Sequence, residues 1–244
     1  ISAILLRHLS WSRSLLVTGG IFIFIGVTYG LSRSPDLGFG QRPDFTSCRK
    51  ILCCRPFWLM VVMFTLAISA TLGIYTMLPL FLVAGRDIDL TQANNVVALS
   101  RVSSIVMPLV GGWAGDRFNH RSVMLFVLIS SGLLTIPMGF AGGNLLLFFI
   151  FLQPMVAVCF FPSAFSVLTK LGGNGDGSLV ISLCIPLAFL AGGGAVPALI
   201  GLVGDYHSLA VGITLVGAAV CCGGLLTALY WKEDRTLHVE SMPL

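Results

Sequence analysis

Long stretches without a charged residue are the feature that most restricts the fold of this 244-residue chain. Only 10% of its residues are charged, whereas a water-soluble domain carries charge on about a quarter of its residues. A helix that crosses a membrane needs about 20 apolar residues, and the chain has room for seven. The composition excludes a soluble enzyme, a nucleic-acid-binding protein and a disordered chain. It predicts an all-α, polytopic membrane protein.

The uncharged runs are separated by short connections rich in Gly, Asn and Asp, which are turn-forming residues. They predict seven membrane spans. These lie near Ser14–Ser32, Pro56–Ala84, Thr91–Gly115, Ser122–Gly142, Leu145–Leu171, Ser178–Gly204 and Ser208–Trp231.

Basic residues are distributed unevenly between the two sides that these spans define. Arg7, Arg13 and Arg86 lie on one side, and ten basic residues lie on the other. Because cytoplasmic loops are enriched in Lys and Arg, we expect the second side to face the cytoplasm, with the plasma membrane as the location. The ten residues are Arg33, Arg42, Arg49, Lys50, Arg55, Arg117, Arg121, Lys170, Lys232 and Arg235.

The connection from Arg33 to Arg55 is the only long polar stretch between spans, and it is interpreted as a linker between domains. It also contains Cys48, Cys53 and Cys54. No His or acidic residue stands at zinc-site spacing from these cysteines, so we expect neither a metal nor a cofactor. The start of the chain, where apolar residues are followed by Arg7-His8, is typical of a helix already under way and indicates a fragment.

Two span ends share a pattern that hydropathy does not require. Pro108, Gly112, Gly115 and Asp116 have the same spacing as the set that follows 89 residues later: Pro197, Gly201, Gly204 and Asp205. Three spans' worth of chain separates the two copies, so they lie on opposite faces of the membrane. This is typical of the inverted repeats of secondary transporters. We expect the glycines to let a neighbouring helix approach closely, although Gly-Asp is also ordinary turn chemistry.

The stretch from Gly112 through Asp116, Arg117 and Arg121 resembles the signature loop of the major facilitator superfamily. Asn119 stands where that signature has Gly, and Asn also has access to a left-handed backbone. The preceding Leu78–Leu82 and Leu90-Thr-Gln-Ala are similar to the usual passage from the seventh to the eighth helix of the family. Leu9–Arg13 is similar to the turn that often joins its fifth and sixth helices.

The resemblance implies a six-helix bundle of two inverted three-helix repeats, formed by residues 56–231. Residues 1–32 would be the end of an N-terminal bundle, 33–55 a cytoplasmic linker and 232–244 a cytoplasmic tail. It also implies a gating role for Gly112, Asp116, Arg117 and Arg121. Gly201 and Asp205 would be the inverted-repeat counterpart of that loop.

Arg101 lies inside the third predicted span, 12 residues after Asp89 and 15 before Asp116. An arginine near mid-membrane costs at least about 2.5–3.5 kcal/mol on insertion scales, so it must face protein or a watery cavity. No predicted span contains an Asp or Glu that could pair with it. An unpaired guanidinium is suited to an anion, and Ser104 follows on the same helical face. A structural role, through backbone carbonyls or an acid elsewhere in the protein, stays open.

Tyr75 and Gln153 are weaker candidates for the same site. Each is a polar residue in an apolar run, so each needs a partner, either a ligand or a neighbouring helix. Gln153-Pro154 and Pro162 also indicate a break in the fifth span, and three consecutive glycines from Gly192 indicate a pliable, closely packed sixth span.

We therefore expect a secondary active transporter that binds a small-molecule anion through Arg101. The resemblance also implies a lipid bilayer, a preceding half of the same protein, and a proton or counter-anion as coupling ion. Proton-coupled efflux of drugs or hydrophobic compounds is the alternative function among transporters. A channel or a membrane enzyme is the alternative from another functional class. Gly173–Asp176 matches an intramembrane aspartyl protease motif, but no span supplies the second Asp.

Overall fold

The computed structural model describes residues 10–31, 45–172 and 177–233. In these ranges the structure is helical and contains no β-strand. Seven helices are long and apolar enough to cross a membrane, as the sequence predicts. We number these spans first to seventh in chain order: Ser12–Leu31, Arg55–Arg86, Leu90–Arg117, His120–Gly139, Gly143–Leu171, Gly177–Tyr206 and Leu209–Ala228.

The chain divides into two units, Ile1–Gly40 and Gln41–Leu244. In the first unit, the helix Trp11–Leu31 forms the first span and exposes almost all of its side chains. The second unit holds the other six spans, preceded by the short helix Phe45–Cys53. The start of the chain before Ser10, most of the predicted linker and the predicted C-terminal tail after residue 233 lie outside the described residues.

The second span is the centre of the larger unit, with 61% of its most apolar window buried, compared with 11% for the third span. Apolar side chains form two clusters, one around each half of the second span. Phe64 and Phe160 belong to the first cluster and meet edge to face, with ring centroids 5.4 Å apart. Leu78 and Ile150 belong to the second. In a membrane these clusters hold the spans together by van der Waals packing, since lipid is as apolar as the side chains themselves.

Prolines explain three interruptions of the spans. Proline lacks the amide hydrogen that would bond to the carbonyl four residues earlier, and its ring clashes with that carbonyl. In each case the carbonyl four residues before a proline falls in the irregular segment. The pairs are Pro108 with Arg101–Val106, Pro162 with Val158–Cys159, and Pro197 with the π-helix Leu190–Ala195. The break expected in the fifth span is present before Pro162, whereas Pro154, which was also expected to break it, lies inside the α-helix Gly143–Ala157.

The second span has a π-helix, Ser69–Gly73, that Pro79 does not explain, because the carbonyl four residues before this proline belongs to Tyr75 in the following α-helix. A Cβ atom added to Gly73 would lie 2.7 Å from the carbonyl oxygen of Gly192, and one added to Gly192 would lie 2.5 Å from that of Thr65. The two π-helices therefore touch through glycines. The close packing expected of the sixth span is present at Gly192.

Side-chain hydrogen bonds join both ends of the second span to neighbouring segments. The Trp58 side chain donates to the Leu52 carbonyl at 2.8 Å and joins the span to the short helix before it. At the other end, Arg86 donates to the carbonyls of Gly139 at 3.2 Å and Ala141 at 2.6 Å. These bonds satisfy carbonyls left free where the fourth span ends.

Candidate functional site

Arg101 lies at an interruption in the middle of the third span. The α-helix Leu90–Ser100 ends just before it, the 3₁₀-helix Val102–Ile105 follows, and a second α-helix, Met107–Arg117, completes the span. The third span is therefore not a continuous α-helix at this level, although Arg101 and Ser104 are one 3₁₀ turn apart, a spacing at which residues still share a face. The physical reason is the proline that follows, which removes a helical hydrogen bond at this level.

The guanidinium of Arg101 contacts the second span in two ways. Its Nη2 donates a hydrogen bond to the carbonyl oxygen of Thr71. Its centre also lies 4.7 Å from the centroid of the Tyr75 ring, which is the geometry of a cation–π contact. The side chain is half-buried. Its remaining nitrogens make no hydrogen bond within the described residues. They are not fully buried.

Tyr75 and Gln153 join the second and fifth spans. The Tyr75 hydroxyl donates to the Ile150 carbonyl at 2.8 Å. The Gln153 amide Nε2 donates to the Ala70 carbonyl at 3.0 Å, and the side chain is fully buried. Its Oε1 atom is buried without a hydrogen-bond partner in the described part of the chain. Both polar groups expected to need a partner therefore bond to backbone carbonyls of neighbouring spans.

The π-helix Ser69–Gly73 explains why these side chains converge. A π-turn replaces the bonds between residues four apart by bonds between residues five apart, so the regular pairing of carbonyls is disturbed. Ala70 accepts from Gln153 and Thr71 accepts from Arg101. Side chains of the third and fifth spans thus meet two successive carbonyls of the second span.

Ser104 lies beside this cluster, one 3₁₀ turn beyond Arg101. Its amide donates to the Arg101 carbonyl at 3.0 Å. Its side chain is half-buried, and the hydroxyl makes no hydrogen bond to any other described residue. Of the four predicted substrate-binding residues, Arg101, Tyr75 and Gln153 are brought together around one segment, and Ser104 borders them.

The described acidic residues are all in loops or at helix ends, so no carboxylate pairs with Arg101 in the described ranges. The described residues also contain no group of three His, Cys, Asp or Glu side chains that could hold a metal ion. The local charge of the cluster is therefore the single positive charge of the guanidinium, set against two backbone carbonyls and the face of an aromatic ring.

The signature-like loop lies at the end of the third span. Asp116 and Arg117 are exposed there. Asn119 has an extended backbone, with φ −65° and ψ 125°, and its side-chain oxygen accepts from the Arg121 amide at 3.0 Å. Asn119 is therefore the N-cap of the fourth span, and it does not use the left-handed backbone to which Asn has access.

Close approach of helices occurs at Gly111 and Gly115, one helical turn apart. A Cβ atom on Gly111 would lie 2.6 Å from the Cys159 carbonyl oxygen, and one on Gly115 would meet the Ser163 hydroxyl. Cys159 and Ser163 are also one turn apart, so small residues of the third and fifth spans face each other. Sequence reasoning missed Gly111, although its spacing from Gly115 was the signal.

The expectation of close approach is wrong for Gly112 and Gly201. Only a Pro162 carbon, at an ordinary 3.8 Å, comes near the Cβ position of Gly112, and no described atom lies within 4 Å of that of Gly201. Both glycines are displaced by one residue from the face that packs, and a one-residue step turns a helix by about 100°. Asp205, like Asp116, is exposed at the end of its helix.

Comparison of the chain with models of known protein families and with curated proteins finds no match.

Proposed function

We propose that the chain is the C-terminal part of a secondary active transporter of the major facilitator type, which carries a small organic or inorganic anion across the plasma membrane by alternating access. The observation that carries this proposal is the environment of Arg101. Its guanidinium lies in the middle of an interrupted span and lacks a carboxylate partner among the described residues. Its remaining donors are open to a ligand.

The chemistry of a guanidinium favours an anion. Two parallel N–H groups match the oxygens of a carboxylate, phosphate or nitrate. The Thr71 carbonyl and the Tyr75 ring fix the side chain from one side, so fewer rotamers are lost when an anion binds. At mid-membrane depth an unpaired arginine is costly, and a bound anion offsets part of that cost.

The packing of the larger unit supports an inverted repeat. The chief neighbours of the second span are the third, fifth, sixth and seventh, and those of the fifth are the sixth, second, third and fourth. If the second span is exchanged with the fifth, the third with the sixth and the fourth with the seventh, the neighbours of the second span become those of the fifth. This correspondence is expected when two three-span repeats are related by a two-fold axis.

The irregular segments give further support. Arg101–Val106 interrupts the α-helix of the third span, and Leu190–Ala195 interrupts that of the sixth. The first segment lies at the same distance before Pro108 as the second does before Pro197. Broken spans at equivalent places of two repeats are common where transporters bind substrates and bend. In this proposal the third and sixth spans are the ones that flex.

The rest of the transporter follows from the same scheme. The first span belongs to a preceding bundle, which supplies the other half of the site, and residues 33–55 are a cytoplasmic linker. Asp116, Arg117 and Arg121 then lie on the cytoplasmic face and steady one conformation, with Gly112 in the same loop. Gly201 and Asp205 occupy the equivalent place on the opposite face. A proton or a counter-anion is the coupling ion.

Uptake by the full-length protein in proteoliposomes tests the proposal. A panel of labelled nitrate, phosphate, small monocarboxylates and dicarboxylates is compared with neutral and cationic hydrophobic compounds. We expect saturable uptake of one anion class, because only anions gain from the open donors of Arg101. Accumulation should require a proton or counter-anion gradient.

The control is the same protein in liposomes without a gradient, where exchange but no accumulation is expected. Transport of hydrophobic cations with no anion uptake would overturn the anion assignment and favour efflux, with Arg101 bonded to Thr71 as a structural arginine. Conductance that does not saturate would indicate a channel.

A further inference from the structure

Two polar atoms without a hydrogen-bond partner meet where the third, fourth and fifth spans come together. They are the Nδ1 atom of His120 and the hydroxyl oxygen of Ser163, and both are buried without a hydrogen bond in the described part of the chain. Buried polar atoms are nearly always bonded. Two unbonded ones at one place therefore indicate a site that is completed in another state of the protein.

Gly115 creates the space in which these two atoms face each other. A Cβ atom at this position would lie 2.7 Å from His120 Nδ1 and would also meet the Ser163 hydroxyl. Because glycine has no Cβ atom, the imidazole of the fourth span and the hydroxyl of the fifth can approach the same point. The two side chains are therefore close, although they do not bond to each other in this structure.

The Ser163 hydroxyl is available because it does not bond within its own helix. A helical serine often donates to the carbonyl four residues before it, as Ser166 does to Pro162 at 3.1 Å. Ser163 is 1% exposed, and its hydroxyl makes no such bond. A hydroxyl can both donate and accept, so it can serve either protonation state of the imidazole.

The imidazole of His120 links this buried point to the membrane surface. His120 is the first residue of the helix of the fourth span, and its side chain is half-buried. Its Nδ1 atom is buried, whereas its Nε2 atom makes no hydrogen bond within the described ranges and is not fully buried. A proton from solution can therefore reach Nε2 and convert the ring to imidazolium, in which both nitrogens are donors.

Charged side chains of the three spans do not pair with His120 among the described residues. Asp116 and Arg117 are exposed at the end of the third span, Arg121 already has an interaction partner, and Lys170 lies in the last turn of the fifth span. Outside the described residues lie Asp176, which follows the fifth span in the chain, and the side chains of Lys232 and Glu233. Of these types of side chain, only histidine ordinarily changes its charge between about pH 5 and 8.

We propose that His120 and Ser163 form a proton-operated latch, which joins the turn between the third and fourth spans to the fifth span. One proton binds to Nε2, and the Nδ1–H group of the imidazolium donates to Ser163 Oγ. Hydrogen bonds from charged donors are about twice as strong as neutral ones, so protonation closes the latch. Its effect on transport rests on the proposed function: a closed latch restrains the third span, which has to flex, and slows uptake.

Histidine-selective ¹⁵N NMR of the full-length protein in lipid nanodiscs tests the latch without a need for transport. His120→Asn identifies the signals of His120. We expect this ring to become protonated as the pH falls from about 8 to about 5. Its Nδ1–H proton should then exchange with water about tenfold more slowly than that of the exposed His207, a factor that one hydrogen bond supplies.

Matched serine variants show whether Ser163 is the acceptor. Ser163→Ala should remove the slow exchange, whereas Ser166→Ala should keep it, because the Ser166 hydroxyl is bonded to the Pro162 carbonyl. Neither change adds bulk to the packed spans. A His120 ring that stays neutral at the acidic end of the titration would overturn the latch, and so would an exchange rate that Ser163→Ala leaves unchanged.

The effect on transport is measured as exchange of labelled for unlabelled anion in proteoliposomes, with equal pH on both sides so that no proton gradient drives it. We expect exchange to be about threefold slower at acidic than at alkaline pH, from the same hydrogen bond. His120→Asn should remove this difference, and His207→Asn should keep it. An unchanged pH dependence in His120→Asn would overturn the role of the latch in transport. A wild type that exchanges no anion would contradict the proposed function instead, and the NMR titration would still decide the latch.

Discussion

Arg101→Ala should abolish anion uptake by the full-length protein while leaving its membrane insertion intact. Removing one partner of a desolvated charge pair costs about 2–5 kcal/mol, which corresponds to a fall in kcat/KM of about thirtyfold to several thousandfold. Arg101→Lys should retain part of the activity, because an ammonium keeps the charge but lacks the planar pair of donors. The measurement is initial uptake rate against anion concentration in proteoliposomes.

Tyr75→Phe is the matched control for Arg101→Ala. It removes the hydrogen bond to Ile150 but keeps the ring beneath the guanidinium, and interhelical hydrogen bonds of this kind contribute about 0.6 kcal/mol in a membrane. Uptake by this variant should therefore stay within about threefold of wild type. If Arg101→Ala transported with unchanged affinity but unfolded at a lower temperature, the arginine would be a clamp between spans and the site hypothesis would be wrong.

Gly192→Leu should prevent the larger unit from folding stably. A Cβ atom at this position would lie 2.5 Å from the Thr65 carbonyl oxygen and 3.1 Å from the Ser69 amide nitrogen. Backbone atoms cannot rotate away as a flexible side chain can, so the sixth span would have to move from the second. Overpacking typically costs about 1–3 kcal/mol, and we expect the upper end of this range here because the blocking atoms belong to the backbone. The readout is the thermal unfolding midpoint and the monodisperse fraction in detergent.

Gly194→Leu is the matched control, two residues further along the same π-helix. The nearest described atom to its Cβ position is the Phe189 carbonyl oxygen at 4.0 Å, and the residue is exposed. This variant should fold as well as wild type, since leucine also has the better helix propensity. Equal stability of the Gly192 and Gly194 variants would contradict the packing of the two π-helices.

Much of the fold could be predicted because membrane spans and helix breaks have local causes. The scarcity of charge indicated seven spans, and Pro162 indicated the break in the fifth, since proline acts on the carbonyl four residues before it. The position of Arg101 near the middle of the third span also followed from counting residues along the chain. These features depend on the local sequence of each span and not on its contacts with other spans.

The rest depended on tertiary contacts. The π-helix Ser69–Gly73 has no proline or glycine run to announce it, and the side chains that donate to its Ala70 and Thr71 carbonyls come from other spans. The choice of Gly112 over Gly111 followed the spacing of the repeat, whereas the packed face is set by the small residues of the fifth span. Likewise, the sequence indicates that Tyr75 and Gln153 need hydrogen-bond partners, but it does not show that these are the carbonyls of Ile150 and Ala70.

Accessibility of position 104 from the two sides of the membrane tests the central claim most directly. Ser104 borders the Arg101 cluster, and its hydroxyl makes no hydrogen bond to another described residue. In a full-length protein with every other cysteine replaced, we predict that Ser104→Cys reacts with a membrane-impermeant maleimide added from either face. The transported anion should slow both reactions. Leu215→Cys, an exposed position of the seventh span, should stay unlabelled because it faces lipid. Labelling of position 104 from one face only, or from neither, with no effect of any anion, would contradict alternating access at Arg101.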